Sequence, residues 1–361
     1  MQRRNFLKTA AAGFAAAAAG SVAFAQGQEG QGRGRGAAPA AGAPPAGGGG
    51  RGAQAPIGNP PAYPRSAKAQ NISFMTLNFG NWLTDIPDVQ PNQYRSLSIF
   101  DYPQMIADVY DVHRIEYQSA HFMDWTPAYF AKLKASLAKS KSVATQINAE
   151  FGGLSMAAFQ AGQRAQAVAL TKAMIDNAVM LGAKRVMVNQ GQAQLGTANF
   201  DTAVQAFKAM ADYGKSKGII VSIETRLVGG GAPPAPGAPA APPAPGTPAN
   251  NVLPKPGLET WQQMARLIKE AGAYSNPDVG NTNAMNQEEL HQCLSKELLF
   301  PTAGSMHCRI WPTNAQGTKR WDLTTAIKYV RGLGYNGNYN LEGGGGHPDC
   351  MPIYEAVLAA L

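Results

Sequence analysis

Cysteine, charge and long apolar runs are all scarce in this chain, and each scarcity excludes something. The 361 residues include 3 cysteines, Cys293, Cys308 and Cys350. They lie far apart and form no C-x-x-C pair, so neither a zinc–thiolate centre nor a disulfide framework is indicated. A single Cys293–Cys350 bridge is the one pairing left open. Charged residues make up 15% of the chain, and the net charge of +8 invites a polyanion-binding reading until it is divided along the sequence. Residues 1–70 hold eight Lys or Arg against Glu29 alone, leaving 23 basic and 22 acidic residues for 71–361. A nearly neutral body has no long-range field to steer a phosphate backbone, so nucleic acid is not an expected partner. Beyond the N-terminus no stretch reaches the roughly 18 consecutive apolar residues that span a bilayer, so no stable membrane insertion is expected.

What the chain has in excess is glycine, alanine and proline, concentrated in segments that stand outside any hydrophobic period. Residues 1–25 start with a basic cluster, continue through an Ala-rich apolar run and end in Ala23-Phe24-Ala25, the small-residue pattern of a cleaved export signal. Within it, Arg3-Arg4-Asn5-Phe6-Leu7-Lys8 resembles the twin-arginine consensus. That resemblance implies export by the twin-arginine (Tat) machinery after folding, and a periplasmic or secreted location. Residues 26–69 lack apolar periodicity and cannot offset the entropy of ordering, so they are expected to form a disordered Gly/Ala/Pro linker. A similar run at 229–250 interrupts an otherwise globular pattern and reads as a tolerated surface-loop insertion.

With that insertion set aside, 70–361 leaves a length close to the roughly 250 residues typical of a (β/α)8 barrel. Eight short apolar or β-branched runs are predicted as strands, at 72–77, 114–117, 144–148, 185–189, 219–224, 273–278, 305–310 and 339–342. Amphipathic stretches such as 163–181, 200–217, 260–271 and 323–332 alternate with them, the pattern of a parallel sheet covered by helices. Gly182, Gly218, Gly272 and Gly334 stand where a helix should close just before the next strand. The expected fold is therefore an α/β (β/α)8 TIM barrel, preceded by a signal peptide and a linker.

Functional side chains of such barrels sit at the carboxyl ends of the strands. The fifth strand ends in Glu224, the sixth in Asp278, the seventh carries His307 and the eighth ends in Glu342. Three carboxylates and an imidazole on one rim would repel one another and resist desolvation unless a cation sat among them. Mostly oxygen ligands with one nitrogen suit Mn2+, Mg2+ or Co2+, with Zn2+ less specifically indicated in the absence of thiolate. Around that rim, Arg309 shares a strand face with His307, and Arg226 stands in the same relation to Glu224. Gln190, His121 and His347 follow strand ends and are candidate substrate ligands, and Glu150 is placed to reach the mouth. Trp311, like Trp82 and Trp125, offers an indole face on which a sugar can stack. Cys308 is expected to face the helical layer as a packing residue.

The segments Ile223-Glu224, Asp278-Val279-Gly280-Asn281, His307 and Leu341-Glu342-Gly343-Gly344 resemble the sugar phosphate isomerase/epimerase superfamily of xylose isomerase-like TIM barrels. The resemblance spans about 71–361. It implies that Glu224, Asp278, His307 and Glu342 hold a single divalent metal and that Glu224 and Glu342 are the acid/base pair. Chelation of a carbonyl and its neighbouring hydroxyl acidifies the C–H between them and stabilises the enediolate that forms when a carboxylate takes the proton. The expected activity is an exported, metal-dependent sugar isomerase or epimerase acting on a small sugar or sugar derivative. The same site could serve β-elimination from a keto-glycoside, a lyase or hydrolase outcome, or a non-catalytic sugar-binding barrel. Two departures from the family are visible. Asn281 replaces a histidine often found three residues after the strand-six aspartate, and the further histidines of endonuclease IV are absent. Oligomeric state is left open, a homo-oligomer included.

Overall fold

The computed structural model describes residues 62–87, 97–151, 154–191, 193, 195–224, 258–282, 284–297, 302–309, 320–343 and 347–361, with only the backbone of 258–262 and 347–349. The expected signal peptide, residues 26–61 of the expected linker and the 229–250 insertion lie outside these residues; at the linker's expected end, Tyr63 donates its N–H to Val109 O at 2.7 Å and stacks on Tyr110. Eight strands and eight α-helices alternate among them: β1 (Ile72–Met75), α1 (Tyr102–Tyr110), β2 (Arg114–Gln118), α2 (Pro127–Lys139), β3 (Val143–Asn148), α3 (Ala161–Leu181), β4 (Arg185–Val188), α4 (Phe200–Lys217), β5 (Ile220–Glu224), α5 (Leu258–Ala271), β6 (Tyr274–Asn276), α6 (Gln287–Glu297), β7 (Ser305–Cys308), α7 (Leu323–Gly332), β8 (Asn338–Leu341) and α8 (His347–Ala360). All strand pairs are parallel, in the order β6-β5-β4-β3-β2-β1-β8-β7. Parallel bridges Ser275–Thr302 and Asp278–His307 join the two ends. The result is a nearly closed (β/α)8 barrel.

Helix ends follow from local chemistry. Gly182 and Gly218 take left-handed φ of 86° and 70° directly after α3 and α4, where a residue with a Cβ would be strained. From there the Gly182 N–H reaches back to Ala178 O at 2.9 Å. Thr126 and Asp322 cap α2 and α7, each accepting the N–H three residues on.

The period of two divides the strands sharply. Phe74, Ile115, Ile147, Val186, Val221, Ile223, Met306, Tyr339 and Leu341 face outward into the helical layer, where the apolar core lies. Most inward positions are polar: Ser73, Glu116, Gln146, Ser222, Asn276, Ser305, His307 and Asn340 are all buried, with Met75 and Met187 the apolar exceptions. Contacts across the lumen fix that orientation. Gln146 Nε2 on β3 donates to Asn276 Oδ1 on β6 at 3.1 Å, and Glu116 on β2 meets His307 on β7 at 2.8 Å. This barrel is thus held together outside its sheet, and its interior is a polar column that opens at the carboxyl ends of the strands. Cys308 packs in the outer core as expected. Cys293 and Cys350 are both free thiols, so the bridge left open by the sequence is not formed; they lie buried on different helices.

Candidate functional site

The last turns of β5, β7 and β8 and the bridge residue after β6 bring four side chains to one point. Glu224, Asp278, His307 and Glu342 each present a ligand atom, and these atoms lie within 4.8 Å of one another. All four residues are buried, His307 and Asp278 completely. His307 is held on both ring nitrogens. Nδ1 lies 2.7 Å from Glu224 Oε1 and 3.0 Å from Glu342 Oε2, and Nε2 lies 2.8 Å from Glu116 Oε1. Arg309, two residues further along the same face, places Nη2 3.0 Å from Asp278 Oδ2 and also pairs with Glu342 Oε1. The other Asp278 oxygen accepts the Gly280 N–H at 2.6 Å, a contact that fixes the turn leaving β6.

Charge is in excess here. Among the described residues four carboxylates, counting Glu116, face one guanidinium and one imidazole in a largely buried space, and the electrostatics register the imbalance. Burial pushes the Asp278 carboxyl up to about 7 against the attraction of Arg309 and His307, with repulsion from Glu342 and Glu224 adding to the rise. Burial acts against a charged His307 ring, yet the attraction of Glu116 and Glu342 and the hydrogen bonds to Glu116 and Glu224 raise it well above the ordinary imidazole value. For Glu342, burial would raise the carboxyl, but Arg309 and His307 hold it below its usual value. Three oxygen donors and one nitrogen, converging and net negative, are a donor set that fits a divalent cation.

On the opposite wall, Gln118 lies two residues beyond Glu116 and donates Nε2 to Glu150 Oε2 at 2.8 Å; Asn189 donates to the other oxygen. Glu150 is therefore fixed at the mouth by amides from β2 and the end of β4. Gln190 is buried beside it, and its carbonyl accepts the Ser155 hydroxyl. Of the remaining sequence-predicted residues, Arg226 and Trp311 lie outside the described residues, as does the side chain of His347. Trp82 is buried in the core, and Trp125 stands at the rim against Phe151, ring centroids 6.3 Å apart.

His121 is buried, with Nδ1 2.9 Å from Thr76 Oγ1. Burial lowers its pKa from 6.5 to about 4, so the folded chain holds it neutral at pH 7. A histidine depressed in this way contributes stability above pH 6.5 that is lost as the pH falls toward 4, because the unfolded chain takes up the proton first. The loss amounts to about 3 kcal/mol across that window. Denaturant unfolding of the parent and His121→Gln between pH 7 and pH 4 checks it. The parent should lose that much more than the variant, and parallel curves would assign the acid sensitivity elsewhere.

Glu116 is the member of the buried cluster that reading strand ends does not find. Its signal is an acid between Ile115 and Tyr117 in mid-strand, at an inward position.

A profile of the xylose isomerase-like TIM barrel family matches residues 107–342. Solved structures share the fold. A D-psicose 3-epimerase from Clostridium cellulolyticum H10, solved with D-tagatose, is 11% identical over 81% of this chain and 96% of its own, with a TM-score of 0.55. A D-psicose 3-epimerase solved in the presence of D-fructose is 14% identical over 80% and 90%, TM-score 0.53. A xylose isomerase-like TIM barrel protein from Mycobacterium smegmatis in complex with magnesium is 16% identical over 82% and 99%, TM-score 0.52. No curated protein matches the chain. No helix among the described residues is long and apolar enough to cross a membrane.

Proposed function

The chain belongs to the xylose isomerase-like TIM barrel family, and from that premise we propose that it is an exported, metal-dependent sugar isomerase or epimerase. The observation that carries this reading is the buried cluster of Glu224, Asp278, His307 and Glu342, whose negative charge exceeds what Arg309 and His307 offset. A divalent ion held by these four residues would polarise a substrate carbonyl and stabilise the negative charge left when the adjacent carbon loses its proton. Mg2+ and Mn2+ fit three carboxylates and one imidazole best.

The chain's own groups do the rest. Glu224 and Glu342 converge from β5 and from the end of β8, so each is placed to take or return the proton of a carbon lying between them. Arg309 ties Asp278 to Glu342, which sets the orientation of two ligand carboxylates. Glu150, Gln118 and Asn189 face the acidic cluster across the mouth and offer polar contacts for sugar hydroxyls. Residues 1–25, read as a twin-arginine signal, would deliver the folded protein to the periplasm.

Metal content tests this reading. Protein recovered from the periplasmic fraction of an exporting host should carry about one equivalent of a divalent metal, and solvent deuterium should enter D-fructose or D-tagatose next to the carbonyl. No bound metal after incubation with Mn2+ would overturn the metal-dependent mechanism. Retention of the full-length chain in the cytoplasm would overturn the export assignment alone.

A further inference from the structure

We propose that Glu116 is a positioning residue for His307, fixing which ring nitrogen is presented to the metal. The inference rests on the metal-site reading above and extends it to a residue outside the four ligands.

Glu116 lies in the middle of β2, fully buried and facing the lumen. It reaches across the barrel to β7, where its Oε1 accepts from His307 Nε2 at 2.8 Å. Its second oxygen, Oε2, is buried without a hydrogen-bond partner among the described residues. No Lys or Arg pairs with it there. A buried carboxylate with one imidazole partner and one oxygen unsatisfied is a poor stabilising device. Desolvation of such a charge costs more than one contact returns, and an apolar residue of similar size would serve the fold as well or better. What the carboxylate does achieve is directional. By accepting from Nε2 it keeps the proton on that nitrogen and turns the ring so that Nδ1 points at Glu224 and Glu342. A cation entering between Glu224 and Glu342 would displace the Nδ1 proton of the charged ring, and with the other proton kept on Nε2 by Glu116 the Nδ1 lone pair is then free to ligate. With the tautomer reversed, Nδ1 would carry a hydrogen into the centre of the site and the fourth ligand would be lost.

Partners that orient a ligating histidine in this way typically hold a roughly 10- to 100-fold share of metal affinity. Glu116→Gln tests the assignment, since it keeps the volume, removes the charge and puts an amide that can donate as well as accept where a carboxylate can only accept. Mn2+ titrated calorimetrically into Glu116→Gln should bind roughly 10- to 100-fold more weakly than into the parent. The far-ultraviolet circular dichroism of the metal-free variant should match the parent's. A second measurement needs no variant. In histidine-15N-labelled parent loaded with Zn2+, the His307 Nε2 resonance should show one-bond coupling to a proton and Nδ1 should not. Equal Mn2+ affinity in Glu116→Gln, or a proton found on Nδ1 of the loaded parent, overturns the assignment while leaving the metal site standing. A parent that binds neither Mn2+ nor Zn2+ overturns the metal reading itself, and this assignment with it.

Discussion

His307→Ala is expected to make the metal-free protein about 3–5 kcal/mol less stable than its parent at pH 7.5, the penalty for stranding buried carboxylates without their partner. The imidazole is the hub of the cluster, with Glu224 and Glu342 on one nitrogen and Glu116 on the other. Its removal takes the imidazole from Glu116, Glu224 and Glu342, while Arg309 stays paired with Asp278 and Glu342. In a domain of this size each kcal/mol moves the melting temperature by roughly 2–4 °C, so a fall on the order of 10 °C is expected. The pH dependence has a definite sign. In the parent the raised imidazole pKa contributes stability that is fully present below pH 6.5 and is lost as pH rises through the folded value. The variant lacks that contribution, so its deficit should widen as the pH falls from 7.5 to 6.5 and change little from there to 5. Excess Mn2+ separates the two proteins further. At a free concentration 100 times its dissociation constant it should stabilise the parent by about 2.7 kcal/mol, and the variant hardly at all. Unfolding in EDTA and in Mn2+ at the two pH values measures all of this. Equal stability of parent and variant in EDTA would mean that the cluster does not depend on His307 for its charge balance.

The barrel was legible because its signals are redundant. Each predicted strand overlaps an observed one, from 72–77 against Ile72–Met75 to 339–342 against Asn338–Leu341, and the expected helix-closing glycines at 182, 218, 272 and 334 all take left-handed φ. Glu224, Asp278, His307 and Glu342 were legible for a different reason. In this architecture the end of a strand is a place, so four chemically related residues at four successive ends had to converge. The polar lumen was not legible. Strands of three to six residues are too short to show which half of an alternation faces inward, and Ser73, Gln146, Asn276 and Asn340 read as ordinary breaks in apolar runs. Glu116 was hidden by the same shortness, and by lying in mid-strand on the wall opposite the residues it serves. The burial of His121 beside Thr76 joins positions 45 residues apart, which no local pattern couples.

Glu224→Gln and Glu342→Gln should each slow interconversion of two epimeric sugars by about 10²–10⁴-fold, the usual contribution of a positioned acid or base. The more telling outcome is what survives. If the two glutamates approach one carbon from opposite faces, removing one leaves the other able to exchange the proton of the epimer it faces, yet unable to complete the inversion. Each variant should then incorporate solvent deuterium into one epimer while forming almost none of the other, and the two variants should choose opposite epimers. Because both residues are also expected metal ligands, Mn2+ binding has to be measured alongside, and the comparison made with the site saturated. Glutamine keeps a carbonyl oxygen for coordination but cannot accept the proton, so affinity and exchange report separate roles of the same side chain. A single-base isomerase gives a different pattern: one variant loses all exchange and the other keeps both exchange and turnover.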